Sequence, residues 1–162
     1  MARKSRKNQP VLQPVIRQPE IPVPEKMPTA LYARLSVEKE TTESIQTQVV
    51  MISQYIKENP ELELYDSYID NGYSGTKFER PDFMRMMEDV RKGKICCIVV
   101  KDLSRFGRNF LETGYYLETI LPRLNVRLIS INDDFDSVRE KDRENIAIPL
   151  KNIINEYYAK DI

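Results

Sequence analysis

One uninterrupted apolar run, Ile95–Val100, constrains the fold of this chain more than any other feature. Such a run is typical of a β-strand covered on both faces, as in the parallel sheets of α/β proteins. From Thr29 onward, other strand-like segments alternate with segments of helical periodicity. This alternation predicts an α/β fold built on a central sheet.

Apolar periodicity and turn-forming residues give bounds for the individual elements. Strands are predicted at 30–35, 62–69, 95–100 and 126–131, and helices at 44–58, from Pro81 to a stop at Gly93, and at 110–121. Pro122 is expected to end the third of these helices. A last helix is predicted from an apolar stripe with helical spacing: Ile146, Leu150, Ile153, Ile154 and Tyr157.

A serine and several arginines directly follow the predicted strands, in a chain that has no histidine. Ser36 lies at the end of the first strand, two residues after Arg34, and Arg105 and Arg108 follow the apolar run. Guanidinium groups pair with phosphate oxygens, on which negative charge builds during nucleophilic attack. The set therefore predicts phosphoryl transfer by a serine nucleophile. Taken singly, Ser36 could instead cap a helix and each arginine could be a solvated loop charge.

Four short motifs occur in a fixed order. They are Tyr32-Ala33-Arg34-Leu35-Ser36, Ser44-Ile45-Gln46-Thr47-Gln48, Tyr73-Ser74-Gly75 with Arg80-Pro81, and Ser104-Arg105-Phe106-Gly107-Arg108. In this order and spacing the chain resembles, over residues 29–162, the catalytic domain of serine site-specific recombinases, the resolvase and invertase family. Segments 100–105 and 155–162 are most similar to the large serine recombinases of mobile elements.

The resemblance implies a fold, a reaction and a set of residues. The fold is a resolvase-like three-layer α/β domain, with a mainly parallel central sheet flanked by helices and the start of a long C-terminal helix. Ser36 would cleave DNA through a 5′-phosphoserine intermediate and rejoin it, without metal, ATP or another cofactor. The catalytic residues carried over are Ser36, Arg34, Arg80, Arg105, Arg108 and Gln48, and those expected to contact DNA are Arg34, Arg80, Lys101, Arg105 and Arg108. Gln48 would orient the nucleophile or an arginine.

The chain departs from the commoner family pattern just before its first loop arginine. Many small resolvases carry an acidic residue there, whereas this chain has Ser104, with Asp102 two residues earlier. Asp102 could substitute for the missing carboxylate, or the carboxylate could be dispensable. The segment Asn132–Asp136 resembles a metal loop only superficially, because its oxygen-ligand spacing is incomplete. We expect a solvated acidic turn there.

Composition limits the partners of the chain. Its 25 Lys and Arg residues balance 25 Asp and Glu residues, whereas proteins that grip DNA unaided normally carry a basic excess. We therefore expect weak DNA binding by this chain alone. The family resemblance implies double-stranded DNA and further copies of the chain as partners, in a dimer and a synaptic tetramer of the full-length protein. No apolar stretch is long enough for a membrane span, and a cytoplasmic location is expected.

Two segments are predicted along the chain. Residues 1–28 have a basic start and many prolines, which predicts an extended, flexible arm. Residues 29–162 are predicted to form the catalytic domain, truncated before the DNA-binding regions. The stripe near the C-terminus could pack on its own domain, or on a partner's helix as the resemblance implies.

Two other classes of function remain open at this point. A recombinase-like module that binds DNA or a partner without cleaving it is compatible with Ser104 and with zero net charge. A nucleotide-binding or phosphatase-like α/β protein is disfavoured, because the chain lacks a glycine-rich phosphate loop and a cysteine- or histidine-based nucleophile site.

Overall fold

The computed structural model describes residues 26–35, 44–71, 80–107 and 109–160. Its strands are β1 (Met27–Arg34), β2 (Leu62–Asp70), β3 (Cys97–Val100), β4 (Arg127–Ser130) and β5 (Phe135–Asp136). Its helices are α1 (Ile45–Glu58), α2 (Pro81–Arg91), α3 (Leu103–Phe106), α4 (Phe110–Tyr115), α5 (Leu121–Arg123) and α6 (Glu140–Lys160), with a π-helical segment (Tyr116–Ile120) joining α4 to α5.

The strands form one five-stranded sheet in the order β2-β1-β3-β4-β5. The first four strands run parallel, and β5 pairs with β4 in the antiparallel direction. The connection after β1 leads to β2 on one side of the sheet, whereas the connection after β3 leads to β4 on the other side. In open α/β sheets the crevice at the carboxyl ends of two such strands is the usual ligand position.

Side chains of β1 alternate between two hydrophobic cores, as expected for a strand inside a sheet. Leu31 and Ala33 face α1, where they pack with Ile52 and Ile56. The opposite face holds the larger core, built on α2, the π-helical segment, α5 and α6. Its members from β1 and α2 are Ala30, Tyr32, Phe83, Met86, Met87 and Val90. The domain thus has three layers, as predicted.

Local signals explain the ends of two helices. The Ser44 hydroxyl accepts a hydrogen bond from the Thr47 N–H, which caps α1. Pro81 occupies the first turn of α2, where its missing N–H costs nothing. Gly93 follows α2 with φ +74°, a conformation that glycine adopts without strain. The predicted positions of α1 and α2 are confirmed.

One predicted boundary is wrong, and one strand was missed. The first strand starts at Met27 rather than at 30, because its first residues pair with the start of β2. The third helical segment ends at Arg123, near Pro122 as predicted, and the proline lies in the first turn of α5. Strand β5 was not predicted, because an acidic segment gives no strand signal.

Helix α6 leaves the domain partway along its length. Ile146 and Leu150 are buried against the larger core, whereas Ile153, Ile154 and Tyr157 are exposed. A Cβ built on Gly114 would lie 2.5 Å from a methyl carbon of Leu150. A larger residue would push the Leu150 side chain aside, so glycine allows the close approach of α4 to α6. Among the described residues, no helix is long and apolar enough to cross a membrane.

Candidate active site

The described members of the predicted site lie at the carboxyl edge of the sheet. Arg34 is the last residue of β1, Lys101 and Arg105 follow β3, and Arg80 directly precedes α2. Gln48 projects from α1 onto the end of β1. The predicted nucleophile Ser36 and the predicted Arg108 lie outside the described residues, as does the Tyr73-Ser74-Gly75 motif.

Gln48 fixes the backbone at the end of β1. Its side chain is fully buried. Its Oε1 accepts from the Arg34 N–H at 3.3 Å, and its Nε2 donates to the Arg34 carbonyl at 3.1 Å. One side-chain amide therefore replaces two strand hydrogen bonds, two residues before Ser36.

Arg34 and Arg105 hold each other through backbone carbonyls. The Arg34 guanidinium donates to the carbonyl oxygens of Ser104, Arg105 and Gly107. In return, Arg105 NH1 donates to the Arg34 carbonyl at 3.2 Å. These hydrogen bonds join the end of β1 to the loop after β3, at the carboxyl ends of these two neighbouring strands.

Arg80 reaches the same loop from the other side. Its NH1 donates to the Phe106 carbonyl and its NH2 to Glu112 Oε1, each at 2.5 Å. Its guanidinium carbon lies 3.9 Å from the centre of the Phe83 ring, a cation–π distance. Residues 104–107 thus receive hydrogen bonds from Arg34 and Arg80 at four consecutive carbonyls.

A buried carboxylate positions Arg80. Asp70, at the end of β2, accepts from the N–H groups of Asp82 and Phe83 at 3.0 Å each and so caps the first turn of α2. It also accepts from the Tyr32 hydroxyl at 2.9 Å. Burial, and then the negative charge of Asp70, raise the pKa of Tyr32, which keeps this hydroxyl a donor.

The site concentrates positive charge in a nearly buried place. Arg80 is 8% exposed and Arg105 is 9% exposed. Burial lowers the pKa of Arg34, and the charges of Arg80 and Arg105 act in the same direction. Within the described parts of the chain, the Nε atoms of Arg80 and Arg105 have no hydrogen-bond partner. A buried donor without an acceptor costs about 1–3 kcal/mol, so an incoming anion would be favoured here.

Although Ser104, and not an acidic residue, directly precedes Arg105, a carboxylate still lies near this arginine. Asp102 Oδ2 lies 3.7 Å from Arg105 Nε, and Asp102 Oδ1 accepts from the Ser104 hydroxyl. The distance to Arg105 is that of an ion pair rather than of a hydrogen bond. Lys101, predicted to contact DNA, is 8% exposed at this edge.

The predicted solvated acidic turn describes Asp133 and Asp134, which are exposed in a turn, but is wrong for Asp136, which is partly buried in β5. Asp133 accepts a hydrogen bond from the Leu103 N–H at 2.8 Å and so caps α3. It accepts another hydrogen bond from the Ser130 hydroxyl. Asp136 makes a bidentate ion pair with Arg127, with N···O distances of 2.7 and 3.0 Å. No group of three or more carboxylate or cysteine residues suited to hold a metal ion occurs in the ranges that the structure describes.

Sequence reasoning missed Asp70 and Glu112. Asp70 directly follows a predicted strand and Glu112 lies in a predicted helix, but neither was singled out. Asp70 is eleven residues from the helix start at Pro81, too far for a local capping pattern to indicate its role. The partnership of Glu112 with Arg80, 32 residues apart, has no signal in a single sequence.

The fold and these clustered arginines are those expected of a resolvase-type domain. The family described as "Resolvase, N terminal domain" matches residues 29–162, and the chain belongs to this family.

Individual relatives agree with this assignment. The chain is similar to a resolvase family site-specific recombinase from Streptococcus pneumoniae, with 30% identity, a TM-score of 0.70, and coverage of 84% of this chain and 93% of that one. The N-terminal catalytic domain of TP901-1 integrase is 27% identical, with a TM-score of 0.66 and coverage of 82% and 96%. A Bacillus subtilis (strain 168) protein named "Putative DNA recombinase" is 31% identical over 108 residues, which are 65% of this chain. The chain spans about a fifth (21%) of the length of that curated relative.

Proposed function

We propose that this chain is the catalytic domain of a site-specific serine recombinase that excises or integrates a mobile element. Ser36 is the nucleophile, and Arg34, Arg80, Arg105 and Arg108 bind the scissile phosphate. The observation that supports this best is the convergence of three arginines at one edge of the sheet, beside the strand that leads to Ser36.

The chemistry follows from these groups. The Ser36 oxygen forms a bond to phosphorus, the bond from phosphorus to the 3′ oxygen breaks, and the 3′ oxygen leaves as a hydroxyl. The 5′ end stays attached to the serine as a phosphodiester. In the reverse step a 3′ hydroxyl attacks this link and releases the serine. No external energy source is needed, because bond energy is kept in the phosphoserine link.

The guanidinium groups lower the barrier by binding the phosphate oxygens as negative charge builds on them. Gln48 contributes indirectly, since it fixes the backbone that carries Arg34. We propose that Asp102 orients Arg105, because it is the acidic group at ion-pair distance from that side chain. These residues act on DNA held by the protein, and no metal or cofactor takes part in the proposed reaction.

Strand exchange further requires several protomers on double-stranded DNA. We propose a dimer that pairs into a synaptic tetramer in the full-length protein, acting in the cytoplasm. The exposed apolar side chains Ile153, Ile154 and Tyr157 on α6 support a helix-to-helix contact between protomers. Met27 and Pro28 belong to β1, so the basic, proline-rich arm predicted at residues 1–28 is proposed only for the residues before them.

The test is cleavage, by the full-length protein, of a supercoiled plasmid that carries the DNA sequences flanking the gene in its source genome. Arg34→Ala, Arg80→Ala and Arg105→Ala are each compared with Arg91→Gln, an exposed residue at the far end of α2. Loss of one preorganised donor typically costs about 3–4 kcal/mol, so each site variant should cleave about 10²–10³-fold more slowly. The control should cleave at the wild-type rate.

A non-catalytic recombinase-like module is the second candidate. It is favoured by the near-complete burial of Arg80 and Arg105, whose described hydrogen bonds go to protein groups. The same plasmid decides between the two. Site-specific binding without strand breakage by the wild-type protein would establish the second candidate.

A further inference from the structure

Glu112 holds the arginine that the proposed reaction needs. Its Oε1 lies 2.5 Å from Arg80 NH2, and the two side chains are 25% and 7% exposed. The Glu112 N–H in turn donates to Asn109 Oδ1 at 2.9 Å, the cap of α4. The Glu112 backbone is therefore held at a helix start, and its carboxylate reaches Arg80 from there as a charge-assisted acceptor.

Two other protein groups also cover the Arg80 guanidinium. The Phe83 ring lies over one face of the guanidinium, and the Phe106 carbonyl accepts from NH1. With only 7% of the side chain exposed, a phosphate oxygen meets little of this guanidinium in the described arrangement. Arg80 Nε has no described acceptor but is buried, so a phosphate oxygen reaches this guanidinium only if one of the protein groups around it moves away.

Glu112 is the group best suited to move away. The Phe106 carbonyl belongs to α3 and is fixed by backbone structure, whereas the Glu112 side chain has rotatable bonds and is partly exposed. Its negative charge also weakens the field of Arg80 at the position where a phosphate would sit. Removing the charge would therefore help phosphate binding electrostatically, and removing the side chain would also free the space beside Arg80.

We propose that Glu112 restrains Arg80 in the DNA-free protein, and that Arg80 exchanges Glu112 for a phosphate oxygen when DNA is cleaved. The exchange rests on the proposed function. The restraint concerns the free protein and is measured without DNA.

The first experiment measures the reactivity of Arg80 toward phenylglyoxal, an arginine-selective dicarbonyl, by peptide mass mapping of the DNA-free protein. Glu112→Gln keeps an acceptor oxygen without the charge, and Glu112→Ala removes both. Glu118→Gln, an exposed glutamate in the neighbouring π-helical segment, is the matched control. We expect modification of Arg80 to become about tenfold faster in Glu112→Ala and to increase less in Glu112→Gln, as for loss of one charge-assisted hydrogen bond. Reactivity equal to that of the control would overturn the restraint.

The second experiment measures the rate of first-strand cleavage on the plasmid described above. Both Glu112 variants should cleave faster than wild type, a direction that a merely destabilised protein would not show. Slower cleavage would overturn the exchange even if Arg80 became more reactive, because Glu112 would then position Arg80 for the reaction. If Glu112→Ala unfolds, Glu112→Gln alone decides. If wild-type protein does not cleave, the proposed function fails, and the phenylglyoxal result still decides the restraint.

Discussion

Gln48 offers a sharp test of how the site is built. Its fully buried amide pairs with both backbone groups of Arg34, and leucine has nearly the same volume without the polar atoms. In Gln48→Leu the Arg34 carbonyl keeps its hydrogen bond from Arg105. The Arg34 N–H loses its described acceptor.

The expected cost follows from that difference. One buried donor left without an acceptor costs about 1–3 kcal/mol, so we expect the free energy of unfolding to fall by about 2 kcal/mol. For a domain of this size that corresponds to a decrease in Tm of roughly 6–8 °C. Cleavage should fall further than stability explains, because the backbone before Ser36 is no longer fixed.

The assay is urea unfolding followed by circular dichroism, with the slope against urea checked to be unchanged. Gln54→Leu is the control, since Gln54 is exposed on the same helix and bonds only to Glu58 among the described residues. Its effect should stay within about 0.5 kcal/mol. If Gln48→Leu also stays within that range, the amide does not hold Arg34, and the reasoning is refuted.

Three further predictions concern the scaffold around the site. Gly114→Ala would place its Cβ 2.5 Å from a Leu150 methyl carbon, so we expect a loss of about 1–2 kcal/mol on urea unfolding and faster hydrogen exchange in α6; unchanged exchange would contradict the close approach. Tyr32→Phe removes a buried hydroxyl donor to a carboxylate, and Tm should fall by an amount equivalent to about 1–2 kcal/mol; no change would show that the hydroxyl is not needed there. Burial alone would raise the pKa of Asp136, but hydrogen bonds from Arg127 outweigh it and hold the pKa below the ordinary 3.8. The stabilisation is therefore present above that value and is lost as pH falls through the lowered pKa, so Asp136→Asn should show a shallower loss of stability with acid than wild type; an equal slope would contradict it.

The sequence was sufficient to predict that Arg34 and Arg105 stand at the same edge of the sheet. Strand periodicity places Arg34 at the end of one strand, and the apolar run places Arg105 after the next, so their nearness follows from parallel pairing. Gln48 was placed on a helix by the apolar pattern, and its role beside Arg34 was expected only from the family resemblance. These placements follow from the order of the strands and helices, which local sequence patterns are enough to predict.

The partners of each arginine were beyond such reasoning. Whether Arg80 meets a phosphate, Glu112 or the Phe106 carbonyl depends on how α2 packs against the segment after β3. That packing is decided by the larger core and by the cap that Asp70 provides. The π-helical segment likewise escaped prediction, because one extra residue per turn leaves no distinct mark in the apolar pattern.

The measurement that tests the central claim most directly is recovery of protein joined to DNA. Full-length protein is incubated with the plasmid under conditions that block religation, and wild type is compared with Ser36→Ala by nuclease digestion and mass spectrometry. The account predicts a nucleotide attached through its 5′ phosphate to Ser36 in the wild type and no adduct in the variant. An adduct on another residue, or strand breakage that persists in Ser36→Ala, would contradict it.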